Sequence, residues 1–489
     1  MRPGTRKIFT SFLVAAGLYL LLLIPDNGTR KIEKAGTQPF AWQADSLWNT
    51  LETTFINNKN AAPENIERLV DSLFTITENN CISLETAPVG FSDSLPGKTL
   101  QHFFLLASAV ASQPKHMLRL NDLYARIRAA VKQQSQDWDI NNTNARNQLY
   151  KTLYGMRAAV EEAALQDSSG AYDIIAGKGE HAATPFTNIL GLKVHSGDLL
   201  VSRGGAEVSA FISRGNDYPG NFSHVALIYI EEKTNKPYLI EAHIEKGVAI
   251  ASVEEYIKDK KLRFMVLRPR FDLPELQADS LLPQKAAKLA FEEAGKHHIP
   301  YDFKMNYFDS SAMFCSEVGS YAYQKNGLQL WKPVSTISST GVSRWLNDFG
   351  VEYFVTQMPA DLEYDPQLMV AGEWKDPETL FKDHADNAVM DALIATADQG
   401  KEIGYNRWML PVVRILKGYC MILNLFGRHG KIPEGMSATQ ALKNQRFVEM
   451  FQQVKSATLN DAEKFMNEKK YRPPYWQLVR MAEKNAKKL

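Results

Sequence analysis

The spacing of apolar residues changes twice along this chain, and that change restricts the fold more than any other feature. Before about residue 168, apolar residues recur every three or four positions, as in Ile66, Leu69, Val70, Leu73 and Phe74 behind Pro63. Beyond about residue 360 the helical spacing returns, for example at Phe447, Met450, Phe451 and Val454. Between them lie short β-branched and aromatic runs separated by the turn clusters Arg214–Gly220 and Thr234–Pro237. That is the pattern of an antiparallel sheet. A chain of 489 residues is too long for one ordinary core, and its length suggests about three domains. The spacing predicts a helical domain over 40–168, an α+β domain over 185–360 and a C-terminal helical region over 361–489. The Ser, Gly, Ala and Thr of Gly170–Asn188 read as the first boundary.

Three cysteines, Cys81, Cys315 and Cys420, are too few and too scattered for a disulfide framework or a CxxC metal site. Cys81 and Cys420 read as small buried hydrophobes, the latter among Val413, Ile415, Leu416, Met421, Ile422 and Leu423, which read as core. Cys315 is different because it opens a predicted helix, Cys315–Lys325. A helix N-terminus carries about half a positive charge and unsatisfied N–H groups, which favour thiolate over thiol and bind an oxyanion. Asn326-Gly327 suits the end of that helix, and Gly319 and Ala322 would let it lie close to a sheet.

A cysteine nucleophile needs a base, a group to orient the base, and oxyanion donors. His224 lies in the strand-like run Ser223–Tyr229, on one face with Ala226 and Ile228. Glu241, in the run after the Thr234 turn, is the candidate to orient it, with His243 as the rival on the same face. The turn length does not fix the register that would decide between them. The backbone N–H groups of Cys315 and Ser316 are the oxyanion candidates. Gly204-Gly205 lacks the other positions of a nucleotide fingerprint, and His297-His298 has no H-E-x-x-H pattern beside it. A site without metal or cofactor is expected.

The order of these pieces carries a resemblance. Gly197–Val201, the His224 strand, Leu239–Ala242, Gly247–Ile250 and Val253–Ile257 resemble the sheet segments of the NlpC/P60 papain-like superfamily, with Pro300-Tyr301-Asp302 and Phe314-Cys315-Ser316-Glu317 following them. Conventional members place the Cys helix first. Here it comes last, so residues 190 to 335 resemble the circularly permuted YaeF/YiiX-like papain-like amidases. The resemblance implies an α+β fold with a small antiparallel sheet and a Cys-bearing helix, flanked here by helical regions. It also implies a Cys315–His224 pair with Glu241 as third residue, and Tyr301 lining the site. Glu317 matches the family's Cys-Ser-Glu pattern and reads equally as a first-turn acid that suits the helix dipole.

Residues 1–35 hold a further signal. Arg2, Arg6 and Lys7 precede an uncharged run, Ile8 to Ile24, of 17 residues, between the lengths of a signal-peptide core and a spanning helix. The expectation is export, with the protein periplasmic and anchored to the inner membrane by this segment. A net charge of +1 gives no electrostatic case for nucleic acid. The tail from Lys464 to Leu489 has eight Lys or Arg against two Glu, a second candidate for membrane contact beside its reading as a solvated helix face. The leading functional expectation is therefore a cell-envelope cysteine amidase or peptidase acting on a cell-wall peptide or an acyl amide. The alternatives are a lipid acyltransferase or acyl hydrolase of the same fold, related to the lecithin retinol acyltransferase-like proteins, and a non-catalytic envelope scaffold.

Overall fold

The computed structural model describes residues 13, 16–26, 37–167, 174–177, 181–333, 335–375, 377–426, 428, 430–433 and 435–489. Five helices open it: α1 (Asp45–Lys59), α2 (Pro63–Thr86), α3 (Ser94–Ser112), α4 (Met117–Gln134) and α5 (Thr143–Leu165). Pro63 takes the first turn of α2, where its missing N–H costs nothing. The inward stripes, such as Val70, Phe74 and Cys81 of α2 and Leu149, Leu153 and Val160 of α5, meet in one core.

The strands are β1 (Ile174–Ala176), a separate hairpin of β2 (Phe186–Ile189) and β3 (Leu192–His195), then β4 (Leu199–Gly204), β5 (His224–Ile230), β6 (Pro237–His243), β7 (Gly247–Ser252), β8 (Lys261–Pro269), a pair of β9 (Ser335–Thr336) and β10 (Val355–Thr356), and β11 (Leu368–Lys375). Among the described residues the main sheet has seven strands in the order β1-β11-β8-β4-β5-β6-β7, each antiparallel to its neighbours. Two expectations change here. β11 lies beyond residue 360, so the sheet runs into what the spacing assigned to the C-terminal helical region. Of the expected linker, residues 170–173 and 178–180 lie outside the described residues, while β1 pairs with β11.

The later helices are α6 (Glu207–Arg214), α7 (Val253–Lys258), α8 (Pro274–Ala278), α9 (Leu282–Lys296), α10 (Cys315–Lys325), α11 (Thr340–Asp348), α12 (Asp361–Tyr364), α13 (Pro377–Asp398), α14 (Leu410–Leu425), α15 (Ala438–Lys469) and α16 (Tyr475–Ala486). The segment Val253–Ile257, expected as part of the sheet, is α7. A capping box explains it: Ser252 Oγ accepts the Glu255 N–H at 3.1 Å and Glu255 Oε2 accepts the Ser252 N–H at 2.8 Å, which outweighs the β-branched residues of so short a run.

α10 packs on β5 and β6 as its small residues require. A Cβ at Gly319 would stand 2.4 Å from Leu199 Cδ2, so any larger residue there would have to displace the Leu199 side chain. On the other half of the sheet, buried ion pairs tie the N-terminal helices to β8 and β11, through Arg128 to Glu373 at 2.7 Å, Arg263 to Glu161 at 2.5 Å and Lys375 to Glu161 at 3.0 Å, and to α12 through Arg157 to Glu363. A charge buried without its partner costs about 3–5 kcal/mol, so these helices fold together with the sheet.

The C-terminal helices form a core around Phe447, Met450, Phe451 and Val454, as their spacing predicts. The basic tail is folded into it through Ala482 and Ala486 of α16, while Leu478 packs with Ala388 and Ala462. α14 departs from expectation. Cys420 is buried, but Ile415, Leu416, Met421 and Ile422 are exposed. Of the N-terminal run, residues 8–12, 14 and 15 lie outside the described residues, and 16–22 are helical. No helix among the described residues is long and apolar enough to cross a membrane.

Gly247 tests how β7 holds the approach to the Cys helix. Its φ is +72°, and a Cβ there would meet Ile299 O at 2.1 Å, the atom that accepts the Val248 N–H at 2.9 Å. Gly247→Ala is expected to cost about 1–3 kcal/mol, read as a lower urea midpoint with an unchanged m-value.

Candidate active site

The β5–β6 register decides which polar side chains meet. Ala226 pairs with Glu241, so these two share a face, and a step of two residues brings His224 and His243 to that face as well. Glu241 Oε2 lies 2.7 Å from His224 Nε2, and Oε1 lies 3.0 Å from His243 Nε2. The two rings stand 5.6 Å apart, centroid to centroid. His243 is therefore a second partner of the carboxylate and does not displace it.

Glu241 is almost wholly buried, with 3% of its side chain exposed. Burial alone would raise its pKa, but hydrogen bonds and charge from His224 and His243 reverse the sign and hold the carboxyl far below the usual range. An ionised carboxylate is an acceptor only, so His224 Nε2 must carry the proton in that contact. Nδ1 remains as the ring nitrogen that can accept one.

Cys315 opens α10 as the sequence predicts, and it is buried. Its sulfur contacts the main chain on both sides of His224. Sγ donates to the Ser223 carbonyl at 3.8 Å, and the N–H groups of Val225, Ser316 and Cys315 itself are directed at it. No hydrogen bond joins sulfur and imidazole among the described residues. The sheet gives the reason: Val318 and Ala322 of α10 pack in one cluster with Val225 and Leu227, whereas Ala226 and Ile228, on the His224 face, belong to another with Tyr256. His224 is the first residue of β5, so thiol and imidazole approach one strand end from its two faces.

The thiol is not pre-ionised. Burial pushes the Cys315 pKa up to about 12, Glu317 adds to the rise, and the three backbone N–H groups offset only part of it. The expectation of a thiolate favoured by the helix N-terminus is corrected here, because desolvation outweighs the dipole. Glu317 follows the same rule. Its Oε2 accepts the Phe314 N–H at 2.8 Å, yet burial, with Asp302 and Asp309 nearby, pushes its pKa up to about 9. It caps α10 as a neutral acid, not as the charged first-turn residue expected.

Tyr301 sits on a segment stitched to the entry of α10. Met313 N–H donates to Pro300 O at 3.0 Å and Asp302 N–H to Met313 O at 3.2 Å. Burial and the neighbouring Cys315 push its hydroxyl pKa well above the ordinary value. Ser316 Oγ is spent on the Gln357 carbonyl at 2.8 Å, leaving only its backbone N–H for the sulfur side. Gln357 was not foreseen. It is buried, its Oε1 accepts from Ser320 Oγ at 2.8 Å, and its Nε2 has no hydrogen-bond partner. Nothing in its local sequence marks it out.

The loop leading to His224 is held by α5: Tyr150 donates to Pro219 O at 2.6 Å and Arg157 to Asn221 Oδ1 at 2.9 Å. A cavity of about 420 Å³, lined among others by Trp42, Trp48, Tyr154, His384, Tyr475 and Trp476, touches the loop ahead of His224 at Asn221, and none of Cys315, His224, Glu241, His243 and Tyr301 lines it. His297 and His298 are exposed at the end of α9.

Residues 193–370 match the family model of the permuted papain-like amidase enzymes, YaeF/YiiX, C92 family. This stretch is a permuted papain-like domain. The match starts within β3 and ends within β11, so it reaches the first residues of the strand that the sequence spacing left out. The crystal structure of metalloprotein yiiX from Escherichia coli O157:H7 (DUF1105) is 22% identical and covers 37% of this chain and 98% of its own, with a TM-score of 0.30. No curated protein matches the chain. In the permuted papain-like domain the helix that bears Cys315 follows β4 to β8 in sequence and packs against β5 and β6 in space.

Burial of Cys315 has a measurable consequence. At neutral pH iodoacetamide is expected to alkylate Cys315 in the ligand-free protein at least about 100-fold more slowly than a free thiol, with the rate rising as pH climbs towards 12. Labelling faster than a free thiol at neutral pH would show that the thiolate is already formed.

Proposed function

We propose that the permuted papain-like domain hydrolyses an amide, in a cell-wall peptide or an acyl amide, with Cys315 as nucleophile, His224 as base and Glu241 as the group that orients and charges the base. The reading is carried by one observation. Glu241, buried and ionised, takes the Nε2 side of His224, so Nδ1 is the free base at the strand end where the Cys315 sulfur lies against Ser223.

A thiol with its pKa near 12 cannot wait as a thiolate beside an imidazolium, so it needs a base during attack, as a serine does. Cys315 Sγ bonds to the carbonyl carbon while its proton moves to His224 Nδ1. The resulting imidazolium is stabilised by Glu241. The backbone N–H groups of Cys315 and Ser316, together with the Tyr301 hydroxyl, receive the oxyanion. Collapse breaks the C–N bond, Nδ1 returns the proton to the departing amine, and an acyl thioester remains on Cys315. Water, deprotonated by the same nitrogen, then bonds to the thioester carbon, the C–S bond breaks to release the acid, and Nδ1 returns the proton to the Cys315 sulfur. In free protein the imidazole must first turn around the strand end towards the sulfur, a looseness common before substrate binds.

We place this activity at the cell envelope, in the periplasm and held at the inner membrane by the apolar run Ile8 to Ile24, with the basic flank Arg2, Arg6 and Lys7 supporting that placement. The Lys464–Leu489 tail is a further candidate for membrane contact.

Cell-wall stem peptides and N-acyl amides, incubated with the full chain and followed by mass spectrometry for new amine and acid termini, test the assignment. Cys315→Ser is expected to abolish turnover of whichever amide is cut with an unchanged melting temperature, and His224→Ala to lower kcat by about 10²–10⁴ and the melting temperature with it, because Glu241 loses one of its two partners. Turnover that survives Cys315→Ser would remove the nucleophile and the mechanism with it.

A further inference from the structure

α14 is amphipathic in the inverse sense of an ordinary surface helix. Leu410, Val413 and Cys420 face inward, and Leu410 and Val413 pack with Ala438 and Leu442 of α15. The outward face is the apolar one. Trp408, Val412, Ile415, Tyr419, Ile422 and Phe426 recur at spacings of four and three residues, one stripe of a helix. All are exposed, Trp408 by 65%, Ile415 by 71% and Phe426 by 78%. Leu416 and Met421 widen the stripe. Soluble monomers rarely show an apolar patch of this continuity unless something covers it.

Two observations indicate what covers it. The first is a neighbour. The end of the uncharged N-terminal run is fastened to α14 and to the turn before it: Tyr19 donates to Trp408 O at 2.9 Å, Arg407 to Leu23 O at 2.8 Å, and Arg414 to Leu22 O at 2.8 Å and Ile24 O at 2.6 Å. Asp26, ion-paired to Arg414 at 2.7 Å, also accepts the Thr439 N–H at 3.1 Å. Leu18, Leu20 and Leu21 of that run are exposed as well, so two apolar surfaces share one edge of the molecule. The second is charge. Between Glu402 and Glu434 the chain has no acidic residue. Arg414 and Lys417 are turned to main-chain carbonyls, while the exposed Arg407 stands before the stripe and the exposed Arg428 and Lys431 after it.

We propose that α14 lies in the plane of an anionic lipid surface, with the Trp408–Phe426 stripe in the acyl-chain boundary and Arg407, Arg428 and Lys431 at the headgroups. Its 16 residues rise about 24 Å, short of a hydrocarbon core about 30 Å thick, so α14 rests on the bilayer and does not cross it. The end of the N-terminal run is bound against it, and together they fix which side of the protein faces the lipid. This inference stands independently of the amidase chemistry.

The test uses the full chain carrying Ile415→Cys or Ile422→Cys, each labelled with an environment-sensitive NBD group, and vesicles of equal parts phosphatidylcholine and phosphatidylglycerol. Both positions are exposed, so the fold should tolerate the label. On vesicles, both labels are expected to shift to the blue and to be quenched several-fold more by doxyl-lipid than a label at Leu118→Cys, an exposed position on α4. Labels at 415 and 422 that stay water-like while the protein sediments with vesicles would overturn the proposal. So would a blue shift without vesicles that accompanies a doubled mass in light scattering, which would make a second copy of the chain the occupant.

Discussion

A carboxylate removed from water costs several kcal/mol unless its charge is met, and Glu241 meets that demand with an imidazole on each oxygen. The rest of the site depends on this arrangement. It ionises the carboxyl inside the sheet and fixes the proton of His224 on Nε2. It also leaves Nδ1 as the ring nitrogen open to the proton transfer proposed for a neutral thiol. His243 adds the second donor, without which one oxygen of a carboxylate whose side chain is only 3% exposed would lack a hydrogen-bond partner. The β5–β6 register places all three side chains on one face, and the register is in turn held by the apolar residues of that face, Ala226, Ile228 and Leu239, which a slip of one residue would expose.

Around this centre the protein spends small residues and buried charge on position. Gly319 lets α10 approach Leu199, Gly247 lets β7 approach the Ile299 carbonyl, and Arg157 joins α5 both to Glu363 and to the loop ahead of His224. The helical N-terminal region thus acts on the site through the loop it restrains. It places no side chain within hydrogen-bond reach of the sulfur among the described residues.

Much of this was legible in the sequence, for physical reasons that differ from residue to residue. The Cys315–Lys325 helix was readable to the residue because its end signals are local, as was the packing of Gly319 and Ala322. The shared face of Glu241 and His243 required only the two-residue period of strands, but whether and how they meet His224 depended on the register of β5 with β6, which no turn length specifies. The neutral state of Cys315 was not readable because burial is a property of the assembled sheet and opposes the local dipole. Ser252 and Glu255 did carry the capping signal for α7, masked by a β-branched run. α14 misled for the opposite reason: its apolar pattern is that of a core helix, and only the packed structure shows which of its two stripes faces inward.

The tautomer of His224 tests the central claim most directly. Long-range ¹H–¹⁵N correlation spectra of histidine-labelled protein near neutral pH, assigned with a His224→Gln variant, distinguish a protonated Nε2 from a protonated Nδ1. The account predicts the Nε2–H form, with Nδ1 unprotonated in the free protein, and loss of that preference in Glu241→Gln. A His224 ring carrying its proton on Nδ1 in the wild-type protein would contradict it, since the nitrogen that must take the Cys315 proton would already hold one.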